Sequence, residues 1–176
     1  MSDPASHPAP LIVTLMLDAV AQARFDALRQ THFPPERLHV GAHVTLFHAL
    51  PGEREAAVAQ AVAQACAATP QFPVMVAGLR LLGHGVAYAL AAAEAEALRA
   101  RLRSCFAGWL TAQDQARWAP HVTVQNKVAA DVARKTKALL ADAPFPHPVT
   151  ATGLALWRYR GGPWEAVVDH AFAPAC

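Results

Sequence analysis

The sequence predicts an α+β fold of two lobes related by a pseudo-twofold axis. Each lobe is an antiparallel sheet with helices on its outer face, and the two face a central cleft. Three observations carry this expectation. Strand-like and helix-like stretches alternate along nearly the whole chain. Glycine-containing turns at Gly83-His84-Gly85 and Gly161-Gly162-Pro163 join strands closely, which favours antiparallel pairs. The tetrapeptide His43-Val44-Thr45-Leu46 returns 78 positions later as His121-Val122-Thr123-Val124.

The 176 residues are 54% hydrophobic and 16% charged, enough apolar material for one domain with a sizeable core. We expect a disordered, Pro-rich tail over 1–9 and a single bilobal domain over 10–176. A net charge of +2 is too weak to imply a polyanion binder by itself, and it leaves room for a small phosphate-bearing ligand in a local basic groove. Three cysteines without a CxxC argue against a disulfide framework or a zinc ribbon and fit a reduced, cytoplasmic setting. The start "MSDPASHPAP" lacks the charged-then-apolar pattern of a secretory leader. Leu11 to Leu17 is too short to span a membrane.

The elements follow in order. Leu11–Leu17 reads as a buried strand, and Asp18 as the N-cap of a helix over about 19–31 with Ala21, Phe25 and Leu28 on one face. The first motif lies on a strand over about 42–49, ended by Pro51-Gly52. A helix over 53–68 presents Ala59, Val62 and Cys66. Strands at 74–82 and 86–90 flank the first Gly turn. The longest helix, 92–110, carries Leu98, Leu102, Phe106 and Trp109. The second motif strand spans about 120–126, and a helix over 130–141 follows. Two strands, "VTATGLALWRY" and "WEAVVDHAF", close the chain. The order β-α-β-α-β therefore occurs twice, with one extra final strand. Gly78-Leu79-Arg80-Leu81 and Gly153-Leu154-Ala155-Leu156 are counterparts in the two copies.

In a strand, residues two apart share a face. His43 and Thr45 therefore point one way, as do His121 and Thr123. Val44, Leu46, Val122 and Val124 point the other way, under the helices. Brought together across a cleft, two imidazoles and two hydroxyls suit in-line displacement at phosphorus. One imidazole takes a proton from the attacking water, and the other protonates the departing oxygen. The threonine hydroxyls donate to the non-bridging oxygens. No metal or cofactor is needed by this scheme.

The paired His-x-Thr-hydrophobic motifs on a duplicated α+β frame resemble the 2H phosphoesterase superfamily. The chain is most similar to its bacterial 2′-5′ RNA ligase-like members, which include RNA 2′,3′-cyclic phosphodiesterases. The resemblance covers about residues 10–172, with its specific part in "HVTL" and "HVTV". It implies His43 and His121 as the acid/base pair, in either assignment, and Thr45 and Thr123 as the phosphate-holding hydroxyls. It also implies metal-independent hydrolysis of 2′,3′-cyclic phosphate ends of RNA or of a related cyclic nucleotide. The alternatives are reversible 2′-5′ RNA ligation and a non-catalytic RNA- or nucleotide-binding module. The partner expected is an RNA end or a small nucleotide phosphodiester, with no membrane and no obligate protein partner. Low net charge and apolar flanks at the first motif favour a small substrate over a long RNA.

Arg117, Trp118 and Tyr159 are further candidate substrate contacts, the arginine to phosphate and the rings to a base. Trp164 also has a ring that could stack a base, though hairpin packing is its plainer reading. His39 with His48 or His84 does not make a metal site by spacing, because no nearby Asp, Glu or Cys completes a ligand set.

Overall fold

The computed structural model describes residues 8–143, 145 and 148–175. Of the expected tail over 1–9, residues 1–7 lie outside the described residues. Ala9 packs so closely on Gly52 that any larger residue there would collide with its carbonyl.

The chain runs β1 (Leu11–Leu17), α1 (Ala19–His32), β2 (Val44–Leu50), α2 (Glu55–Ala67), β3 (Phe72–Leu81), β4 (Val86–Ala91) and α3 (Ala93–Cys105). It continues with α4 (Ala112–Gln115), β5 (His121–Gln125), α5 (Ala130–Ala141), β6 (Val149–Tyr159) and β7 (Trp164–Ala171). Asp18 caps α1 as expected, its Oδ1 accepting from the Ala21 amide at 2.9 Å. The 92–110 expectation overshoots. The helix stops at Cys105, and Gly108 takes a left-handed φ of 85° in the loop beyond it. The short α4 was not anticipated; Thr111 caps it from a stretch without apolar periodicity.

All strand pairs are antiparallel, in the order β2-β1-β6-β3-β4-β5 with β7 on β6. β6 serves two neighbours along one edge. Val149–Ala151 pairs with β3, and Gly153–Tyr159 pairs with β7. The turn between β3 and β4 runs against β5, where Gly85 faces the Gln125 carbonyl with no room for a Cβ.

The lobes are not the two sequence units taken whole. One lobe holds β1 and β2 from the first unit with β6 and β7 from the second, covered by α2 and α3. The other holds β4 and β5 from the second unit with β3 from the first, covered by α1 and α5. Each unit thus lends its first helix and its last strand to the opposite lobe. One continuous hydrophobic core results, in which Phe25 of α1 meets Tyr88 of β4, their rings 5.7 Å apart, and Phe106 after α3 meets Phe47 of β2 at 5.2 Å.

Candidate active site

β2 and β5 lie at opposite ends of the strand path, yet they come into contact, because the path curls until its ends meet. These are the two motif strands. Val44, Leu46, Val122 and Val124 are fully buried, and His43, Thr45, His121 and Thr123 are half-buried on the opposite face. His121 opens β5, while His43 stands one residue before β2 begins. The expected strand start at 42 is therefore two residues early. Beyond Thr45 the ladder with β1 is irregular, so Leu46 and Phe47 are both buried and the strict alternation ends.

The two imidazoles are held identically. Nδ1 of His43 lies 2.8 Å from the Gly41 carbonyl, and Nδ1 of His121 lies 2.8 Å from the Ala119 carbonyl. A carbonyl oxygen can only accept, so each Nδ1 carries the hydrogen. Nε2 is then the atom left free for proton transfer on each ring. The loop carrying Gly41 is itself fixed from α1. The Ala42 amide donates to Asp26 Oδ1 at 2.7 Å, and Gln22 Nε2 donates to the Ala42 carbonyl at 2.9 Å.

Two buried arginines stitch the walls together reciprocally. Arg29 of α1 donates to the Val40 carbonyl before His43 (2.9 Å) and to the Thr123 carbonyl on the opposite strand (2.7 Å). Arg99 of α3 donates to the Asp114 carbonyl on the approach to the second motif (2.7 Å) and to the Leu46 carbonyl on β2 (2.9 Å). Each helix thereby grips the motif strand of the other sequence unit. Below this, the fully buried Asp114 carboxylate accepts from the His48 amide, the His48 ring and the Ala49 amide. Burial pushes that carboxyl up, but these donors outweigh it and hold it below the usual carboxylate range.

The surroundings of the two histidines differ. Burial pushes the His43 imidazole down to about 4, against the Gly41 carbonyl, which favours the protonated ring; the Arg29 guanidinium, His121 and His48 add to the lowering. Trp164 covers the ring, its centroid 4.5 Å away. Beside them opens an apolar pocket of about 270 Å³, lined by Thr14, Met16, Gln22, His43, Trp157 and Trp164 among others. The Trp157 indole is fixed by donating to Thr14 Oγ1 at 2.9 Å.

Of the further candidates, Trp118 adjoins the first motif: its indole donates to the Thr45 carbonyl at 2.9 Å. Arg117 is exposed on a separate groove beside it. Tyr159 is 41% exposed and does not line the pocket beside His43; Trp157 and Trp164 do. Its neighbour Arg158 is engaged by Glu55 and Glu165. Among the described residues no three His, Cys, Asp or Glu side chains converge as a metal site. His48 is bound to Asp114, and His84 to the Val128 carbonyl.

Arg29, Arg99 and Asp114 were not anticipated. A signal existed for the arginines: Arg29 completes the Ala21-Phe25 stripe at helical spacing, and Arg99 stands beside Leu98 and Leu102. A cation on an apolar stripe asks for buried acceptors.

A frame of two such walls, each with a His-x-Thr strand, defines a two-histidine phosphoesterase. The chain belongs to the 2′-5′ RNA ligase superfamily, whose family model matches residues 17–163. Among solved structures it is similar to Escherichia coli LigT complexed with 3′-AMP. That likeness is at 21% identity and a TM-score of 0.59, over 94% of this chain and 98% of that one. It is also similar to TT0787 of Thermus thermophilus, at 14% identity and a TM-score of 0.64, over 95% of this chain and all of that one (100%). These likenesses show the fold. No curated protein matches the chain. No helix among the described residues is long and apolar enough to cross a membrane.

Proposed function

We propose that the protein, as one functional unit over 10–176, is a metal-independent phosphodiesterase that opens 2′,3′-cyclic phosphate ends of RNA in the cytoplasm. The observation that carries this reading is the identical anchoring of His43 and His121 on strands that meet. Each ring keeps Nδ1–H on a carbonyl and offers Nε2. The different surroundings support one assignment of the roles. His43, kept neutral by burial, is the base that takes a proton from water as the water oxygen bonds to phosphorus. The P–O3′ bond breaks, and His121, entering the step as the imidazolium, gives its Nε2 proton to O3′, leaving a 2′-phosphate. Thr45 and Thr123 donate to the non-bridging oxygens. The terminal base occupies the pocket beside Trp164.

The test is turnover of a short oligoribonucleotide with a 2′,3′-cyclic phosphate, in EDTA, by wild type, His43→Ala and His121→Ala. Opening by wild type, with both folded variants slowed more than about a hundredfold, is the expected result. Equal turnover by all three would remove these histidines from the chemistry. Joining of the strand to an added 5′-hydroxyl RNA would instead favour the ligase reading, in which that hydroxyl replaces water.

A further inference from the structure

A further cavity lies on the reverse of the second motif wall, between α5 and the hairpin of β3 and β4. It measures about 420 Å³, inside the range of about 300–1,000 Å³ usual for small-molecule sites. The cross-strand pair Leu79 and Tyr88 lines it from the sheet, Lys137, Leu140 and Ala141 line it from α5, and Phe145 closes one side. We propose that this cavity binds a small amphipathic anion. An apolar chain or ring lies against Leu79, Leu140 and Phe145, and its single carboxylate accepts from Lys137 and from the Tyr88 hydroxyl.

Two donors without partners in an otherwise apolar cavity carry this assignment. Tyr88 is only 3% exposed, and its ring is packed edge-on against Phe25 at 5.7 Å and Phe145 at 5.6 Å. Its hydroxyl is not sealed in the core, and among the described residues it has no hydrogen-bond partner, so it is open to the cavity. Burial pushes the phenol up, which keeps it a donor. Lys137 stands on the face of α5 that also carries the buried Ala133 and Leu140. It is half-buried and forms no ion pair among the described residues. A cation on an apolar stripe asks for an anion. No Asp or Glu lines the cavity; Glu94 stands in the adjoining groove, beyond Val76 and Phe145. Arg24 of α1 adds a second cation, its guanidinium 5.8 Å from the centre of the Phe145 ring.

The strand beside the cavity is shaped to leave it open. The ladder between β3 and β4 slips between Val76 and Gly78, and Gly78 takes a φ of 148° with open space where a Cβ would stand. The site is separate from the cleft. Tyr88 pairs with Val122, whose side chain points away from those of His121 and Thr123, so the sheet stands between the two ligands. Binding here is therefore independent of the phosphodiesterase reading.

The experiment titrates decanoate and 1-naphthoate into the protein by calorimetry, with decanol as the uncharged counterpart. Wild type, Lys137→Met, Tyr88→Phe and Ala141→Phe are compared, with circular dichroism as the check on folding. Wild type is expected to bind at least one of the two acids, and decanol at least tenfold more weakly than decanoate. Lys137→Met keeps the apolar stem and is expected to weaken acid binding about tenfold, and Tyr88→Phe about fivefold. Ala141→Phe fills the cavity from an exposed position and is expected to abolish binding. A 2′-mononucleotide should not displace the acid. Absence of binding by both acids overturns the proposal. So does binding that is unchanged in Lys137→Met and Tyr88→Phe, or displacement by the mononucleotide. A concentration-dependent dimer that Ala141→Phe dissolves would also overturn it, and would make the cavity an interface between copies of the chain.

Discussion

The wall built on β2 and the wall built on β5 carry the same His-x-Thr pair, the same burial alternation and the same carbonyl two residues behind each imidazole. Their neighbours do not match. His43 lies under Trp164 beside an apolar pocket, while the approach to His121 borders an arginine groove. A duplicated frame supplies two equivalent proton-transfer atoms. In the proposed reading, the unequal surroundings make His43 the acceptor and His121 the donor. The comparison can be broken in two ways, by showing that the shared parts are not equivalent or that the unshared parts do not matter.

The largest effects should come from the shared parts. Thr45→Val and Thr123→Val each remove one donor to the phosphate and keep the side-chain volume. Each is expected to lower kcat by about a hundredfold, the order seen when one oxyanion donor is deleted. Near-equal losses support two equivalent walls. A loss confined to one threonine would mean that the phosphate sits on a single wall.

The arginine stitches come next. Arg29→Met and Arg99→Met each strand two backbone carbonyls that now accept from a guanidinium, part-buried at Arg29 and buried at Arg99. Each variant should lose a few kcal/mol of stability in urea denaturation, at about 1–3 kcal/mol per unsatisfied buried group. Similar losses fit the reciprocal arrangement. Arg29→Met alone should also move the acid limb of the activity profile upward, because Arg29 helps to keep His43 neutral. A matching shift in Arg99→Met would contradict the assignment of His43 as the base.

The sequence made the repeated motif, the strand and helix order and the shared face of each His-Thr pair legible, because all three depend on local periodicity. It did not show which lobe each element would join. The exchange of α1 and β3 into the opposite lobe depends on contacts such as Phe25 with Tyr88, which connect residues far apart in the chain. Arg29, Arg99 and Asp114 stayed hidden for the same reason. Their acceptors and donors are backbone groups distant in sequence, and backbone groups leave no mark in composition. Tyr159 was a candidate and Trp157 was not, although alternation places them on one face. The bond from Trp157 to Thr14 that turns its ring to the pocket exists only after β1 and β6 pair.

The Trp164 cover makes the next comparison. Trp164→Ala admits water to the His43 ring and removes part of the burial that pushes it down. In wild type the acid limb of kcat/KM, which reports the free enzyme's base, should fall near pH 4. In Trp164→Ala it should move toward about 6.5, the ordinary histidine value. KM should rise as well, since the ring also lines the base pocket. A raised KM with an unmoved limb would separate the two roles of this tryptophan and leave the His43 shift to the protein around it.

The smallest effect is on stability. His43 has a folded-state pKa below its unfolded value, so the unfolded chain takes up a proton first as pH falls. The neutral, half-buried ring therefore imposes no penalty above about pH 6.5. Between there and about 4, protonation of the unfolded state progressively draws the equilibrium toward unfolding. Below about 4 the folded ring is protonated too, and this contribution levels off. His43→Asn has no proton to take up and should show a shallower fall of urea midpoint across that window than wild type. His121→Asn serves as the comparison on the other wall. Parallel curves for wild type and His43→Asn would mean that the imidazole is solvated in solution, and the roles assigned to the two walls would then lose their electrostatic basis.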